Sequence, residues 1–216
     1  PPKLDGQQND IYQALINSTG SAIKLKYPKG GDFRSPFVVR NFDSEPGDEA
    51  MVFYEPESVQ TGEAALRLKF LDQYDGKWQV VYDIACIGTE IESISFFDFG
   101  KSGNEDILLR TSMLNQTEKV LTVINYSDGI PRELYASSYS SVEVVDLNCD
   151  GSDELILGGH AGDGGHGFTT LENDERGQRA HTVAHGNGLA GGLAGIHLHH
   201  LGLGSQGGPH LLHGGH

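Results

Sequence analysis

Positive charge is scarce in this chain. Its 216 residues include 15 Lys and Arg against 30 Asp and Glu, which gives a formal net charge of −15 with histidine neutral. Because nucleic-acid binding depends on clustered Lys and Arg, this balance argues against a nucleic-acid partner. It argues equally against docking on an anionic membrane surface.

Long apolar runs and paired cysteines are also missing. No stretch of about 18 apolar residues occurs, so we expect no membrane-spanning segment. The first residues lack the charged and apolar regions of a signal peptide, so none is expected in the chain as given. Cys86 and Cys149 are too few for a disulfide framework or a cysteine zinc cluster. We interpret them as a buried small apolar residue and a turn residue.

Histidine is absent from the first 159 residues, and all ten histidines lie between His160 and His216. A Ser-His-Asp or Cys-His arrangement would therefore need a residue from that last segment. The sequence also lacks the Gly-x-Ser-x-Gly motif and the Gly-x-x-x-x-Gly-Lys phosphate loop. These absences favour a protein without catalytic activity.

The segment 161–216 differs in composition from the rest of the chain. From His160 onward it holds 16 of the 30 glycines, and such a backbone is costly to order. We predict a disordered Gly/His-rich tail there. Its histidines can bind zinc, nickel or copper, but no Asp, Glu or Cys follows Glu175 to orient them. We interpret metal binding by the tail as adventitious.

An acidic turn between two apolar runs recurs three times in the body of the chain. Residues 41–52, 98–109 and 146–157 align without gaps, with starts 57 and then 48 residues apart. Each segment predicts a strand, an acidic turn and a second strand. In the first two units a further hairpin follows, turning at Asp75-Gly76 and at Asp128-Gly129. Four short strands in about 50 residues are typical of a propeller blade.

The predicted fold class is all-β: a partial β-propeller with two four-stranded blades, a half blade, a short N-terminal helix and a disordered tail. A helix is predicted from Gln8 to Ser18, ended by Gly20, within a lead-in of residues 1–35. The propeller-like repeats occupy residues 36–160. The two blades are assigned to about 36–88 and 89–140, the half blade to 141–160 and the tail to 161–216.

The third turn is the candidate metal site. Oxygen-bearing side chains alternate at its first, third and fifth positions, a glycine follows, and a carboxylate closes the loop, as in the first half of a calcium loop. An Asx-rich turn whose side chains cap their own backbone is an equally good interpretation. The candidate calcium ligands are Asp146, Asn148, Asp150, Asp153 and Glu154.

The other two turns fit calcium less well. In the first turn Pro46 replaces the glycine, and in the second turn Gly100 replaces the ligand at the third position. We expect both to be structural turns.

The pattern of an apolar run, Asp-x-Asn-x-Asp-Gly-x-x-Asp/Glu and an apolar strand, met best by residues 144–157, resembles FG-GAP or VCBS repeats of integrin-like β-propellers. The opening, with Leu25-Lys26-Tyr27-Pro28 and Gly31-Asp32-Phe33-Arg34-Ser35, resembles uncharacterised surface lipoproteins of Gram-positive bacteria. The resemblance implies an extracytoplasmic or cell-surface location, and a lipidated cysteine ahead of Pro1. It implies no particular activity.

The sequence thus favours a non-catalytic extracytoplasmic binding or scaffold module with an unknown protein or glycan ligand, stabilised by calcium in one interpretation. The alternative is a surface-polysaccharide hydrolase that uses carboxylates on blade loops, such as Asp48/Glu49 or Asp153/Glu154. Open sheet edges predict a tendency to self-associate. A further hypothesis is that the chain is truncated or shifted in reading frame after about residue 160, where the third unit should continue.

Overall fold

The computed structural model describes residues 4–20, 22–43, 45–60, 64–98, 105–113, 119–146, 149, 153–160, 166–174 and 177–186, the last part (from 160) as backbone only. These residues form one helix and three antiparallel sheets, none of which closes on itself. The predicted all-β class with a short N-terminal helix is confirmed at that level.

The helix α1 runs from Gly6 to Thr19. The side chain of Asp5 accepts a hydrogen bond from the backbone N–H of Gln8, and the side chain of Gln8 bonds back to the backbone of Asp5, which forms a capping box. Gly20 ends the helix in a left-handed conformation with φ 67°. The helix predicted from the spacing of apolar residues is therefore present, with one or two more residues at each end.

Sheet A contains five strands: β1 (Ile23–Leu25), β2 (Phe37–Arg40), β3 (Glu49–Pro56), β4 (Arg67–Tyr74) and β5 (Lys77–Ala85). β1 and β2 pair with opposite ends of the same edge of β3, so the lead-in contributes a strand to the first repeat unit. β4 and β5 meet at Asp75 and Gly76, whose φ values of 52° and 72° fit the predicted two-residue turn.

Sheet B contains β6 (Glu90–Phe97), β7 (Asp106–Ser112), β8 (Lys119–Ser127) and β9 (Ile130–Tyr139), paired in chain order. Its hairpin turns at Asp128 and Gly129, again with positive φ at both residues. The four strands match the second predicted unit.

Sheet C contains β10 (Ser141–Val145), β11 (Glu154–His160), β12 (His166–Asp174) and β13 (Gly177–Gly186). The structure therefore differs from the predicted half blade, because a second hairpin lies at 166–186 inside the segment expected to be disordered. This hairpin contains Thr169-Thr170 and Thr182-Val183, which suit strands, and β12 pairs its backbone with β11. The composition of the whole tail is dominated by the glycines after Gly186, which hid this local signal. Residues 187–216, also predicted to be disordered, lie outside the described residues.

The described elements stack face to face in the order α1, sheet A, sheet B, sheet C. Sheets A and B bury a common core that includes Phe42, Phe53, Phe70 and Tyr126. The opposite face of sheet A packs on α1, and the opposite face of sheet B packs on sheet C. Sheet A is thus covered on both faces, which explains the nearly continuous burial along β3 and β4.

The connection between β1 and β2 joins sheet A to sheet B. The backbone N–H of Lys29 donates to the carbonyl of Ile91 at 2.9 Å, and a Cβ on Gly30 would lie 3.1 Å from the carbonyl oxygen of Glu92. Ion pairs from Lys26 to Glu90 at 2.8 Å and from Lys29 to Glu92 at 3.2 Å reinforce the contact.

Among the described residues, no helix has the length and apolar character of a membrane-spanning segment.

Candidate binding site at the acidic turns

The acidic turns lie at one end of the stacked sheets. Short links, residues 86–89 and Ser140, connect the opposite end of each sheet to the next one, so β6 and β10 both run toward the acidic end. We call this end the turn face. Its described residues are 41–43, 45–48, 75–76, 98, 105, 128–129, 146, 149 and 153.

A buried carboxylate follows each acidic turn and is the first residue of the next strand. Glu49, Asp106 and Glu154 occupy the same position of the three aligned segments and open β3, β7 and β11. Each is at most 5% exposed. Each of the three units therefore has an inward-facing acid at the start of the strand that follows its turn.

Glu49 closes its own turn. Its Oε2 accepts the backbone N–H of Phe42 at 2.7 Å. Burial raises the pKa of Glu49 to about 7, and the nearby carboxylates of Asp43 and Asp72 act in the same direction. Among the described residues, no ion pair includes Glu49, and the neighbouring cation Arg40 is directed elsewhere.

A chain of polar side chains contacts Asp106. The side-chain amide of Asn125 donates to Asp106 Oδ1 at 2.8 Å, and Ser127 Oγ donates to Asn125 Oδ1 at 3.0 Å. Arg132 Nη1 in turn donates to Ser127 Oγ at 2.8 Å. At the second turn, hydrogen bonds through two side chains of β8 thus connect the buried Asp106 on β7 to the exposed Arg132 on β9.

Arg40 links the first turn to the second. Its guanidinium forms an ion pair with Glu105 and lies over the ring of Phe96, with 4.2 Å between Cζ and the ring centroid. A planar, weakly hydrated guanidinium suits both contacts. This bridge holds the turn-bearing ends of sheets A and B together.

A buried tyrosine reaches the same region from sheet B. The ring of Tyr126 stacks on Phe70 with centroids 5.0 Å apart and meets Phe42 edge-on at 5.9 Å. Its hydroxyl is buried and has no hydrogen-bond partner among the described residues. Burial, and next the charge of Glu49, raises the pKa of this hydroxyl.

The third turn, predicted to bind calcium, is described only in part. Asp146 and Asp153 flank it, Cys149 lies within it with φ 58°, and Glu154 is buried. Asn148 and Asp150, the central predicted ligands, lie outside the described residues. In the part of the chain that the structure describes, no three His, Cys, Asp or Glu side chains are grouped as metal ligands. The calcium site remains a prediction.

The adjacent carboxylate pairs do not act together. Glu49 and Glu154 are buried, whereas their neighbours Asp48 and Asp153 are exposed. Successive residues of an extended chain point to opposite sides, so this difference follows from the entry into β3 and β11. A catalytic carboxylate pair would have to combine residues that are not adjacent in the sequence.

A second polar cluster, missed from the sequence, lies between sheet A and α1. Lys69 is 3% exposed, and its Nζ contacts Ser18 Oγ at 2.6 Å and Thr19 Oγ1 at 3.0 Å. Asp83 lies 3.7 Å from the same Nζ and accepts hydrogen bonds at 3.0 Å from Tyr54 and from Arg67. Burial lowers the pKa of Lys69 and raises that of Tyr54 to about 12. The alternation of apolar and polar residues around Lys69 predicts a strand with one buried face. The burial of the other face follows only from its contact with α1.

The remaining singled-out residues are structural. Cys86 is buried, which raises its thiol pKa to about 12 and makes it unreactive, as expected. It lines a cavity of about 110 Å³ between sheets A and B, together with Ile84, Ile124 and Glu133. Trp78 packs against the α1 cluster.

Comparisons with known proteins leave the family open. No protein-family model matches the chain, and no curated protein matches it. Among solved structures, a rhamnogalacturonan lyase, YesW, aligns with a TM-score of 0.39 and 11% sequence identity. The alignment covers 74% of this chain and 40% of the lyase chain, so this chain spans well under half of that enzyme.

Proposed function

We propose that the protein is a non-catalytic binding or scaffold module whose three sheets stack as propeller blades do and whose turn face meets the ligand. The observation that carries this proposal is the use of the buried acids at the turn face. Glu49 accepts a backbone N–H of its own turn and so holds that loop in shape, and Asp106 accepts the side-chain amide of Asn125 and so fixes the strand that leaves the second turn. Rigid loops on a sheet scaffold are a common basis for recognition.

We propose calcium as the ion that completes the third turn, held by Asp146, Asn148, Asp150 and Asp153 or Glu154. Hard cations prefer six or more oxygen ligands, and the alternating acids supply them at close spacing. The acidity of the turn face points to a ligand that is cationic or bound through the ion, such as a protein or a glycan. An extracytoplasmic location, as in FG-GAP or VCBS repeat proteins, fits the millimolar calcium concentrations at which extracellular modules bind.

Calcium-dependent melting tests this proposal. Calcium should raise the Tm of the full chain, because an ion that binds only the folded state stabilises it. Asp146→Ala with Asp150→Ala should abolish the rise, whereas Asp10→Ala with Asp32→Ala, which removes two charges outside the turns, should preserve it. An equal rise in both double variants would place the ion elsewhere.

A second candidate function is hydrolysis of surface polysaccharide. The specific observation in its favour is Glu49, a buried acid whose pKa of about 7 lies in the range of a general acid and which is electrostatically coupled to Asp43 and Asp72. Turnover on a panel of polysaccharides, lost in Glu49→Gln and retained in Glu45→Gln, would support the enzyme. Absence of turnover with retained ligand binding would support the binding module.

A further inference from the structure

Phe42 attaches the first acidic turn to the core between sheets A and B. Among the described residues of that turn, Phe42 alone is buried, with 1% of its surface exposed. Its ring stacks on Phe96 with centroids 5.7 Å apart and meets Phe70 and Tyr126 edge-on at 6.4 and 5.9 Å. The packing of this one ring therefore holds the turn against the two sheets.

The backbone of Phe42 is held by a carboxylate that is itself buried. Glu49 is 4% exposed, and its Oε2 accepts the backbone N–H of Phe42 at 2.7 Å. The side chain of Phe42 is thus attached to the core and its backbone to Glu49. Because the carboxylate is removed from water only while Phe42 lies in place, the closed position of the turn is coupled to the charge of Glu49.

The charged groups around Glu49 oppose its ionisation. Burial is the main reason that the pKa of Glu49 is raised, and the charges of Asp43 in the turn and Asp72 on β4 raise it further. Arg40 lies opposite Glu49 in the pairing of β2 with β3, but its guanidinium forms an ion pair with Glu105. The ion pairs of the described residues do not include Glu49.

The nearby tyrosines do not offset this charge. The hydroxyl of Tyr126, on β8, is buried without a hydrogen-bond partner among the described residues, so it does not donate to Glu49. The hydroxyl of Tyr74, on β4, is hydrogen-bonded to Asp72. A buried carboxylate with one neutral donor is most stable as the uncharged acid, and its ionised form is stabilised by contact with water.

We propose that ionisation of Glu49 detaches Phe42 from the core, so that the first turn opens locally as the pH rises. Opening brings water to the carboxylate at the cost of one ring's contacts, whereas global unfolding costs the whole core. The open state is a local state of the folded chain in which the three sheets stay packed. The proposal does not depend on the proposed ligand or on calcium.

The sign and size of the effect follow from proton linkage. The pKa of Glu49 is about 7 in the closed turn, against an ordinary value of 4.5 for a carboxyl group in water. The open turn therefore releases the proton more readily, and the opening equilibrium constant rises as pH rises from about 4.5 to 7 and then levels off. Between pH 5 and pH 8 the increase is about 70-fold.

Hydrogen exchange at the Phe42 amide of the full chain measures this opening. After correction for the intrinsic pH dependence of exchange, its protection factor should fall about 70-fold from pH 5 to pH 8. Urea below the unfolding transition should change this protection little, because a local opening exposes little surface. The amide of Phe53, which donates to the carbonyl of Pro36 at 3.0 Å and belongs to a fully buried residue, supplies the urea dependence of global unfolding.

Glu49→Gln separates the charge from the hydrogen bond, because Gln keeps a carbonyl oxygen for the Phe42 N–H and does not titrate. Corrected protection at Phe42 should then be equal at pH 5 and pH 8, whereas Glu45→Gln, exposed in the same turn, should keep the fall of about 70-fold. If Glu49→Gln does not fold, the unchanged chain decides alone. Phe42 protection that is independent of pH, or as sensitive to urea as that of Phe53, would overturn the proposal.

Discussion

Each of the two faces of sheet A buries an ionisable side chain, but the polar surroundings of these two side chains differ. On the face toward α1, Lys69 contacts two hydroxyls, a carboxylate and an aromatic ring. On the face toward sheet B, Glu49 accepts the backbone N–H of Phe42 and lies near acids that repel it. Burial of a charge is tolerated where partners surround it, and otherwise the group tends to become neutral. One face is thus electrostatically satisfied, and the other is sensitive to pH.

The largest effect is expected in the apolar part of the sheet A/B face. Phe70 is 0% exposed and contacts Tyr126 and Phe42. Phe70→Ala should lower the free energy of unfolding by about 3–5 kcal/mol, because it removes a large ring and leaves a cavity. Gln73→Ala, exposed on the same strand, should change it by less than about 0.5 kcal/mol. Denaturant unfolding measures both, and similar losses would contradict the location of this core.

The next effect concerns the pH dependence of stability. The pKa of Glu49 is about 7 in the folded chain and about 4.5 ordinarily, so the folded state binds its proton more tightly. Stability should therefore fall as pH rises from about 4.5 to 7 and change no further from this group above that range. At about 1.4 kcal/mol per pKa unit, the loss is on the order of 3–4 kcal/mol.

Glu49→Gln should remove this component, because the amide stays neutral. Comparison of unfolding at pH 5 and pH 8 measures the difference. Glu45→Gln, an exposed position in the same turn, should keep the pH dependence of the unchanged chain. A pH profile unaffected by Glu49→Gln would show that Glu49 is not the sensitive group.

The smallest effect on the free energy of unfolding is expected for Lys69, whose charge has several polar partners. Lys69→Met keeps the apolar stem and removes the ammonium, while Asp83 retains Arg67 and Tyr54 as partners. The free energy of unfolding should change by at most about 1 kcal/mol, because Asp83 is partly exposed and ion pairs with an exposed partner contribute little. Lys77→Met, exposed on β5, supplies the control. A loss of several kcal/mol at Lys69 alone would mean that the cation, rather than packing, holds α1.

The local elements were largely predictable from the sequence. Both hairpins turn at an Asp-Gly pair that tolerates positive φ, and α1 ends at Gly20, because these choices depend on a few neighbouring residues. Burial of Lys69 was not predictable, because its alternation with Leu68 and Phe70 is that of a half-exposed strand. The hairpin at 166–186 was missed because composition was averaged over a glycine-rich segment that continues beyond it.

The candidate site was predictable in position but not in role. The alignment of the three turns identifies Glu49, Asp106 and Glu154 as equivalent, and the spacing alone suggests ligands. Their burial, and the hydrogen bonds of Glu49 and Asp106 to Phe42 and Asn125, depend on contacts between strands that are distant in sequence.

By itself, the sequence determined which segments turn, which extend and which carry acid, since these follow from backbone preference and side-chain period. The tertiary structure alone decided which charges are buried, which face α1 covers and which turns share one end of the stack. The physical reason is that the solvation and the partners of a charged side chain depend on the residues around it. Those residues come together only when sheets A, B and C pack on one another.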